Sequence, residues 1–413
     1  MDSAQSQNTQ TQSNQIIKLT PSNWLYNAGV IGFLRVLESA GELKSPGENI
    51  KFKDDGSVEI SNSHFYQNYI DQKINVRNFS IPRLAYLYLI FNFNELVSEN
   101  DRSNINSDDE RIEKVWGKLF NTYYRGFFNA NTKYLYQKSK KSSELILQFS
   151  VFISNMTNSS PNNIKCSFCI SNGFNFNYKN KFTSEHNRII GASFGEMPNA
   201  FWNLNNFSSL NICDFCSFIL LNYHLGIIKL SDNSEIFINA PSFKVMWHLN
   251  KYARTLYEKQ KAKEVREILG ISLIEMASRL QLQLSKWTKM NIEVIVKYKE
   301  NGKDKIDFFS LPYEVVDVLS DKEISSLLNR IGEFKILNMV LDGRFDEILK
   351  FGERVLRIAI KPRNEQGDHE KEFINENIKL GRNKNNLISF SHTLFKLYAL
   401  ISDKIKRRKY YEL

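Results

Sequence analysis

The four cysteines of the chain form two Cys-x-x-Cys pairs, Cys166–Cys169 and Cys213–Cys216. Two intervening residues allow both thiolates of a pair to turn toward one tetrahedral ion, and two pairs complete a closed coordination sphere. The spacing therefore predicts one structural Zn²⁺ held by all four cysteines, with no open position for a catalytic water.

The two pairs are 43 residues apart, farther than the roughly 15–20 residues of a compact zinc ribbon. Because loop closure becomes only slowly more costly with length, one ion can organise a long polar segment. We therefore predict a zinc-stapled insertion over residues 160–220, in which the stretch 166–216 loses order first when the metal is removed.

Three other readings of the cysteines remain open. A redox Cys-x-x-Cys usually occurs as one pair beside a βαβ pattern, and two disulfides need an oxidising compartment. Chance occurrence is the third, although all four cysteines of the chain fall into matched pairs. Nothing else in the sequence supports a redox or disulfide role.

The segments around the insertion predict a mixture of helices and strands. Pro21-Ser22-Asn23 precedes an apolar helical pattern over 24–38 that stops at Gly41. Residues 51–60 indicate a strand pair around Asp54-Asp55-Gly56, and residues 98–109 form a polar connection between helical segments. Residues 291–299 and 306–311 flank Asn301-Gly302, which predicts a hairpin.

The pattern is almost wholly helical from residue 321 onward. Four glycines, Gly332, Gly343, Gly352 and Gly381, are predicted to separate the helices. The fold class is therefore α+β, with a mixed N-terminal domain that carries the zinc-stapled insertion and a C-terminal helical bundle. The predicted boundaries are a disordered tail at 1–15, a nucleic-acid-binding domain at 16–319 and the bundle at 320–413.

Composition indicates a globular protein with an anionic partner. The chain has 413 residues, a net charge of +10 and a pI near 9.1. Such a charge favours nucleic acid, although lysine-rich chains are often merely soluble. The polar first fifteen residues match neither a signal peptide nor an amphipathic anchor, and the apolar runs are too short to span a bilayer. We expect no membrane partner and a cytoplasmic location.

Several basic stretches are candidates for nucleic-acid contact. The stretch 121–143 has no acidic residue and interleaves its cations with aromatic rings that could stack on bases. An aromatic core with a solvated lysine face explains that stretch equally well. In the second stretch, residues 251–300, ordinary ion pairs along a helix are an equal explanation of the charges. The candidates in these stretches are Arg125, Lys133, Lys138, Lys140, Lys141, Lys259, Lys263, Arg266, Lys406, Arg407 and Arg408.

Motifs of catalysis are weak. Gly191-Ala192-Ser193-Phe194-Gly195 matches G-x-S-x-G, but it lies in the polar insertion, and the downstream His224 and Asp232 have the wrong order for a hydrolase. Gly29-Val30-Ile31-Gly32 resembles a G-x-x-G clamp, yet it lies in the predicted apolar helix, where small residues allow close packing. We expect no enzyme. His186 and His224 are the histidines that could replace a cysteine at the metal.

The segment 24–32, the two cysteine pairs and the 292–311 hairpin followed by helices together resemble the CXXC–CXXC large subunit of type I-B CRISPR surveillance complexes. The resemblance implies a non-enzymatic Cascade subunit with guide RNA, target DNA, other Cascade subunits and a helicase-nuclease as partners. It implies recognition of the protospacer-adjacent motif and help in starting strand separation. It also implies that the helical end lines the displaced strand.

Two hypotheses follow for this function, and one alternative remains. Asn175, Asn177 and Arg188 in the insertion would read or wedge the duplex. Lys379, Arg382, Lys384 and the 404–409 cluster would hold displaced single strand. The alternative is a zinc-containing adaptor that binds proteins and uses its basic faces only for solubility.

Overall fold

The chain divides into two compact units in a computed structural model. The first unit comprises residues 1–244 and 296–307, and the second comprises residues 245–295 and 308–413. These bounds differ from the predicted domain boundaries, which stay a prediction. The structure describes residues 16–43, 49–76, 79–119, 142–156, 166–169, 212–230, 233–260, 292–310, 312–378 and 384–411.

The first unit begins with a three-stranded sheet, a long helix and a separate two-stranded hairpin. The sheet has the antiparallel order β1-β3-β2, and β4 pairs with β5 in a separate hairpin. The elements in chain order are β1 (Ile16–Leu19), α1 (Trp24–Ser39), β2 (Ile50–Phe52), β3 (Val58–Ser61), α2 (Asn62–Phe65), a π-helical turn (Tyr66–Asp71), β4 (Lys73–Val76) and β5 (Phe79–Pro82).

Helices and a four-stranded sheet follow. They are α3 (Arg83–Leu96), α4 (Glu99–Ser103), α5 (Asp108–Leu119), α6 (Ser142–Asn155), α7 (Asp214–Leu221), α8 (Tyr223–Gly226), β6 (Ile228–Lys229), β7 (Glu235–Asn239), α9 (Phe243–Gln260), β8 (Glu293–Glu300) and β9 (Lys303–Ser310). The sheet has the order β6-β7-β8-β9. The division between the units falls within α9.

Helix α1 is present where the sequence predicts a helix, and it is almost wholly buried. Asn23 caps its first turn because the side-chain oxygen accepts the backbone N–H of Tyr26 at 3.0 Å. Thirteen of the 16 residues of α1 are buried, so the helix is enclosed on all sides. It packs on α7, α8, α3 and β7.

Two glycines of α1 allow its backbone to approach the following helices closely. A Cβ atom built at Gly29 would lie 2.5 Å from the carbonyl oxygen of Ile219, and one at Gly32 would lie 2.0 Å from that of Asn222. On the opposing side, a Cβ at Gly226 would lie 2.1 Å from the carbonyl oxygen of Ala28. The G-x-x-G segment therefore serves helix packing.

The predicted strand pairs are also present. β2 and β3 are antiparallel around a turn in which Gly56 has a positive φ of 84°. In the β8–β9 hairpin, Asn301 and Gly302 have φ values of 51° and 77°. Two successive residues with positive φ are typical of a type I′ turn, which suits the twist of a two-residue hairpin.

One predicted connection contains more structure than its polarity suggests. The segment 98–109 includes the short helix α4 and the start of α5. Ser98 makes this possible because its side chain accepts the backbone N–H of Asp101 at 3.3 Å. The prediction of a plain connection is therefore wrong in this detail.

The second unit is helical, which confirms the predicted helical end of an α+β chain. Helix α15 packs against α13, α11 and α10. The helices are α10 (Tyr313–Leu319), α11 (Lys322–Ile331), α12 (Phe334–Leu341), α13 (Phe345–Ile360), α14 (Asp368–Asn377) and α15 (Lys384–Tyr411).

The glycines of this unit have two different roles. Gly332 caps α11 with a φ of 65°, and Gly343 follows α12 with a φ of 68°, so both separate helices as predicted. Gly352 lies inside α13, where an added Cβ would be 2.9 Å from the ring of Phe395. It allows a close helix contact, and its prediction as a helix stop is wrong. Gly381 lies outside the described residues.

No helix in the described ranges is long and apolar enough to cross a membrane.

Candidate metal centre

The structure brings all four cysteines together in the first unit. Their Sγ atoms lie within 4.8 Å of one another, and the Sγ atoms of Cys169 and Cys213 are 3.8 Å apart. A tetrahedron with bonds of about 2.3 Å from metal to sulfur has edges of about 3.8 Å, so this spacing suits one ion. All four residues are buried and none forms a disulfide.

Backbone geometry prepares the sulfur atoms to act as ligands. Cys213 is the N-cap of α7, and its sulfur accepts the backbone N–H of Cys216 at 3.4 Å. Cys166 accepts two backbone N–H groups, from Phe168 and from Cys213, each at 3.4 Å. These bonds and the positive end of the α7 dipole stabilise negative charge on the two sulfur atoms and partly offset the cost of burying it.

The pKa values of the cysteines show what a cation would contribute. Burial raises the pKa of the Cys213 and Cys216 thiols well above the ordinary range. The pKa of Cys166 is lowered, chiefly because Cys169 hydrogen-bonds to its sulfur. A bound cation would hold all four groups as thiolates at neutral pH, since coordination deprotonates a thiol.

Tyr26 of α1 contacts both cysteine pairs. Its hydroxyl lies 3.7 Å from the Sγ of Cys216, and its ring lies 5.3 Å from the ring of Phe168, between Cys166 and Cys169. Burial raises the pKa of Tyr26 well above its usual value, so the hydroxyl keeps its proton. The cysteine cluster thus lies against helix α1.

His224 belongs to a separate buried network. Its Nε2 lies 2.6 Å from Oδ1 of Asn92, whose amide donates to the carbonyl oxygen of Tyr88 at 2.8 Å. Because Oδ1 accepts, Nε2 carries the proton. Burial, followed by the charge of Lys229, lowers the pKa of His224 to about 3, so the ring is neutral at pH 7. Among the described residues, the group that could hold a metal ion consists of the four cysteines and does not include His224. His186 lies outside the described residues.

One comparison with known proteins finds a similar family. Residues 159–227, which contain both cysteine pairs, match the family described as CRISPR-associated protein (Cas_CXXC_CXXC). This segment of the chain is similar to CRISPR-associated CXXC–CXXC proteins. No curated protein and no solved structure matches it.

Most of the predicted nucleic-acid-binding residues lie outside the described residues. These are Arg125, Lys133, Lys138, Lys140, Lys141, Asn175, Asn177, Arg188, Lys263, Arg266, Lys379 and Arg382, and the G-x-S-x-G segment 191–195 lies outside as well. Their roles stay predictions.

The remaining predicted residues lie on two helices. Lys259 is in α9, and Lys384, Lys406, Arg407 and Arg408 are in α15. Lys406 and Arg407 are exposed, and Arg407 pairs with Asp403 at 2.7 Å. Exposure leaves them accessible to a ligand, and their role in binding stays a prediction.

Within the same C-terminal cluster, Lys404 has a structural role. Its Nζ lies 3.6 Å from a carboxylate oxygen of Asp317 and 3.3 Å from one of Asp321. These ion pairs connect α15 to the end of α10 and the start of α11. Part of the charge density at 404–409 therefore serves the packing of the second unit.

Sequence reasoning missed a basic face on α13. Lys350, Arg354 and Arg357 follow one another at spacings of four and three residues, so they lie on one side of the helix, and Lys361 follows as its C-cap. All four are exposed. We call this set the basic face of α13. Glu353 interrupts it in the sequence, and the helical register is the signal that could have revealed it.

Aromatic rings and glutamates both lie beside the basic face of α13. The guanidinium carbon of Arg354 lies 3.9 Å from the ring centre of Phe373, and Nζ of Lys335 lies 5.5 Å from that of Phe351. Arg357 and Lys361 each pair with a glutamate. No ion pair forms at Lys350 or Arg354 within the described part of the chain, so both charges are accessible to an anion.

Proposed function

We propose that this chain is the non-enzymatic large subunit of a type I-B CRISPR surveillance complex. In this role it binds guide RNA and target DNA, recognises the protospacer-adjacent motif, helps start unwinding and recruits the helicase-nuclease. Other Cascade subunits are its protein partners. The observation that carries the proposal is the family match at residues 159–227 around a buried four-cysteine cluster.

The metal in this proposal is one structural Zn²⁺. Four thiolates at tetrahedral spacing suit zinc, because structural Zn²⁺ in proteins is commonly bound by four cysteine sulfur atoms in a tetrahedron. Cys166, Cys169, Cys213 and Cys216 would hold it, and all four positions would be filled. The ion would cross-link the turn at 166–169 to the start of α7 and take no part in a reaction.

Charge supports the nucleic-acid part of the proposal. The chain has a net charge of +10. The basic face of α13 presents two cations without ion-pair partners among the described residues, and one of them stacks on Phe373. Such a combination can hold phosphates while leaving sequence reading to the guide, as guide-directed complexes do.

The two earlier hypotheses remain part of this proposal. Asn175, Asn177 and Arg188 would contact base edges or wedge the duplex in the zinc-stapled insertion. Alanine at these positions is expected to change motif preference in a binding assay, and an unchanged preference would exclude the hypothesis. Charge reversal at Lys379, Arg382, Lys384 and the 404–409 cluster should weaken target binding and flatten its salt dependence.

The decisive experiment is co-expression of the tagged chain with its genomic neighbours and a guide RNA. The purified material is then analysed for RNA of uniform length, for subunit stoichiometry and for zinc. We expect a complex with guide RNA and one zinc per chain. Zinc without RNA or partners would contradict the subunit role and favour the adaptor.

A variant with serine at both Cys213 and Cys216 is the matched control for the zinc measurement. It keeps the size of the side chains but loses two ligands, so it should lose the metal. Equal zinc content in this variant and the wild type would contradict the proposed metal site.

A further inference from the structure

The hydroxyl of Tyr26 has one described polar partner, and that partner is a cysteine of the metal centre. Tyr26 has no exposed surface, and its oxygen lies 3.7 Å from the Sγ of Cys216. A buried hydroxyl without a hydrogen bond costs about 1–3 kcal/mol, so the contact with sulfur matters to the fold.

The direction of the bond follows from the chemistry of a metal ligand. A thiolate that binds a metal has no proton and can only accept, whereas the tyrosine O–H can donate. We propose that Tyr26 is a positioning residue of the metal centre, which donates a hydrogen bond to the metal-bound sulfur of Cys216. The inference rests on the metal site in the proposed function and does not depend on guide RNA or partners.

Contacts that helix α1 makes with its neighbours fix the position of the Tyr26 hydroxyl. Gly29 and Gly32 hold α1 against α7 and α8 at distances that admit no Cβ atom. The ring of Tyr26 also packs on Phe168, which lies between the other two ligands. Tyr26 therefore contacts both pairs, and its O–H cannot turn toward bulk water.

A donor to a metal-bound thiolate couples two parts of the chain that are 190 residues apart in sequence. Groups that hydrogen-bond to metal ligands typically contribute 10-fold to 100-fold to metal affinity. By linkage, the metal must stabilise the docking of α1 by the same factor that α1 contributes to the binding of the metal. Residues far outside the matched segment 159–227 would thus take part in the metal centre.

The test compares Tyr26→Phe with Tyr88→Phe in the full-length chain. Tyr88 is an equally buried tyrosine whose hydroxyl donates to the carbonyl oxygen of Leu221 at 3.1 Å, at the other end of α7. Both substitutions remove one buried hydroxyl that contacts α7, but only Tyr26 contacts sulfur. Circular dichroism checks that each variant is folded.

Two measurements are made on each protein. Competition with a chromophoric chelator gives the zinc affinity, and Co²⁺ substitution gives the absorption band of charge transfer from thiolate to metal. Tyr26→Phe should weaken zinc binding 10-fold to 100-fold and shift the cobalt band, because the sulfur loses a hydrogen bond. Tyr88→Phe should leave both close to wild type.

A third variant separates the hydrogen bond from ring packing. Phe168→Leu removes the ring contact with Tyr26 and should leave the cobalt band in place. An unshifted band in Tyr26→Phe, or equal effects of Tyr26→Phe and Tyr88→Phe, would overturn the inference and leave the proposed function standing. Failure of the wild-type chain to bind zinc or cobalt would overturn both.

Discussion

The contact between Gly32 and Asn222 allows one prediction to be worked out in detail. Replacing Gly32 by alanine would place a Cβ atom 2.0 Å from a backbone carbonyl oxygen. Cβ atoms in proteins essentially never approach another atom more closely than 3.0 Å. Because the opposing atom belongs to the backbone of the α7–α8 connection, no side chain can rotate away. The two backbones must therefore separate by about 1 Å.

The energetic cost follows from this separation. A gap of 0.5–1 Å forfeits roughly a quarter to a half of the dispersion attraction across a contact. Overpacking of an ordinary core costs about 1–3 kcal/mol, and a clash between two backbones belongs at or above the upper limit. We expect Gly32→Ala to destabilise α1 by about 3 kcal/mol or more, a large part of the stability of a typical domain.

Hydrogen exchange is the assay of choice because the chain has two compact units, and a single global unfolding energy is not well defined. A loss of about 3 kcal/mol corresponds to exchange roughly 100-fold faster in peptides from α1. Peptides from α13 in the second unit should exchange as in the wild type.

Gly117→Ala is the matched control. Gly117 lies in α5, and no atom of the described residues lies within 4 Å of a Cβ built there. Alanine at that position should stabilise α5 by about 0.5–1 kcal/mol, because glycine is unfavourable inside a helix. Equal exchange in α1 of Gly32→Ala and the wild type would refute the close-packing argument.

Three further predictions concern pH, charge and metal. Because the pKa of His224 is lowered to about 3 in the folded chain, the unfolded chain takes up a proton at this residue at a higher pH than the folded chain does. The free energy of unfolding should therefore fall by about 2 kcal/mol between pH 7 and pH 5 through this residue. Replacing Lys350 and Arg354 by glutamine should weaken binding of single-stranded oligonucleotide and reduce the slope of log affinity against log salt by about 1.4, if each contacts one phosphate. Chelation of the metal should increase hydrogen exchange in residues 212–226 while α13 stays protected, and added Zn²⁺ should restore the protection.

Each of these predictions has its own control. For pH, His224→Gln should flatten the dependence, whereas the same change at the fully exposed His369 should leave it unaltered; an equally steep profile in His224→Gln would exclude His224 as its source. For charge, glutamine at Lys322 and Arg330 on α11 changes the net charge equally, and an equal loss of binding would show that total charge alone matters. Unchanged exchange after complete removal of the metal would contradict a structural role for the ion.

Local chemistry explains which features could be predicted from the sequence. The cysteine cluster follows from two-residue spacings, α1 from a capping asparagine before an apolar pattern, and the β8–β9 hairpin from Asn301-Gly302. In each case the signal lies within a few residues of the chain, and for the cluster two such signals of the same kind imply one shared ion although the pairs are 43 residues apart. The mixed fold with a helical end was accessible for the same reason.

Features that depend on distant partners could not be predicted. A glycine such as Gly352 typically marks the end of a helix in a sequence. Its actual role is to allow close approach of the ring of Phe395, which lies on another helix. The sequence leaves His224 as a possible ligand, and only the buried Asn92 beside it shows another role. The basic face of α13 is invisible without the helical register, because Glu353 interrupts its charges.

The burial of α1 has a consequence for the order of events during synthesis. The apolar residues of this helix leave the ribosome about 190 residues before Cys216, against which Tyr26 packs. At about 5–20 residues per second, the helix waits roughly 10–40 seconds for its binding surface. During that interval its apolar sides have no partner from α7 or α8, so the nascent chain exposes a surface that chaperones bind. With the proposed metal at the cysteine cluster, a slower supply of the ion would prolong this interval and would lower the yield of folded protein.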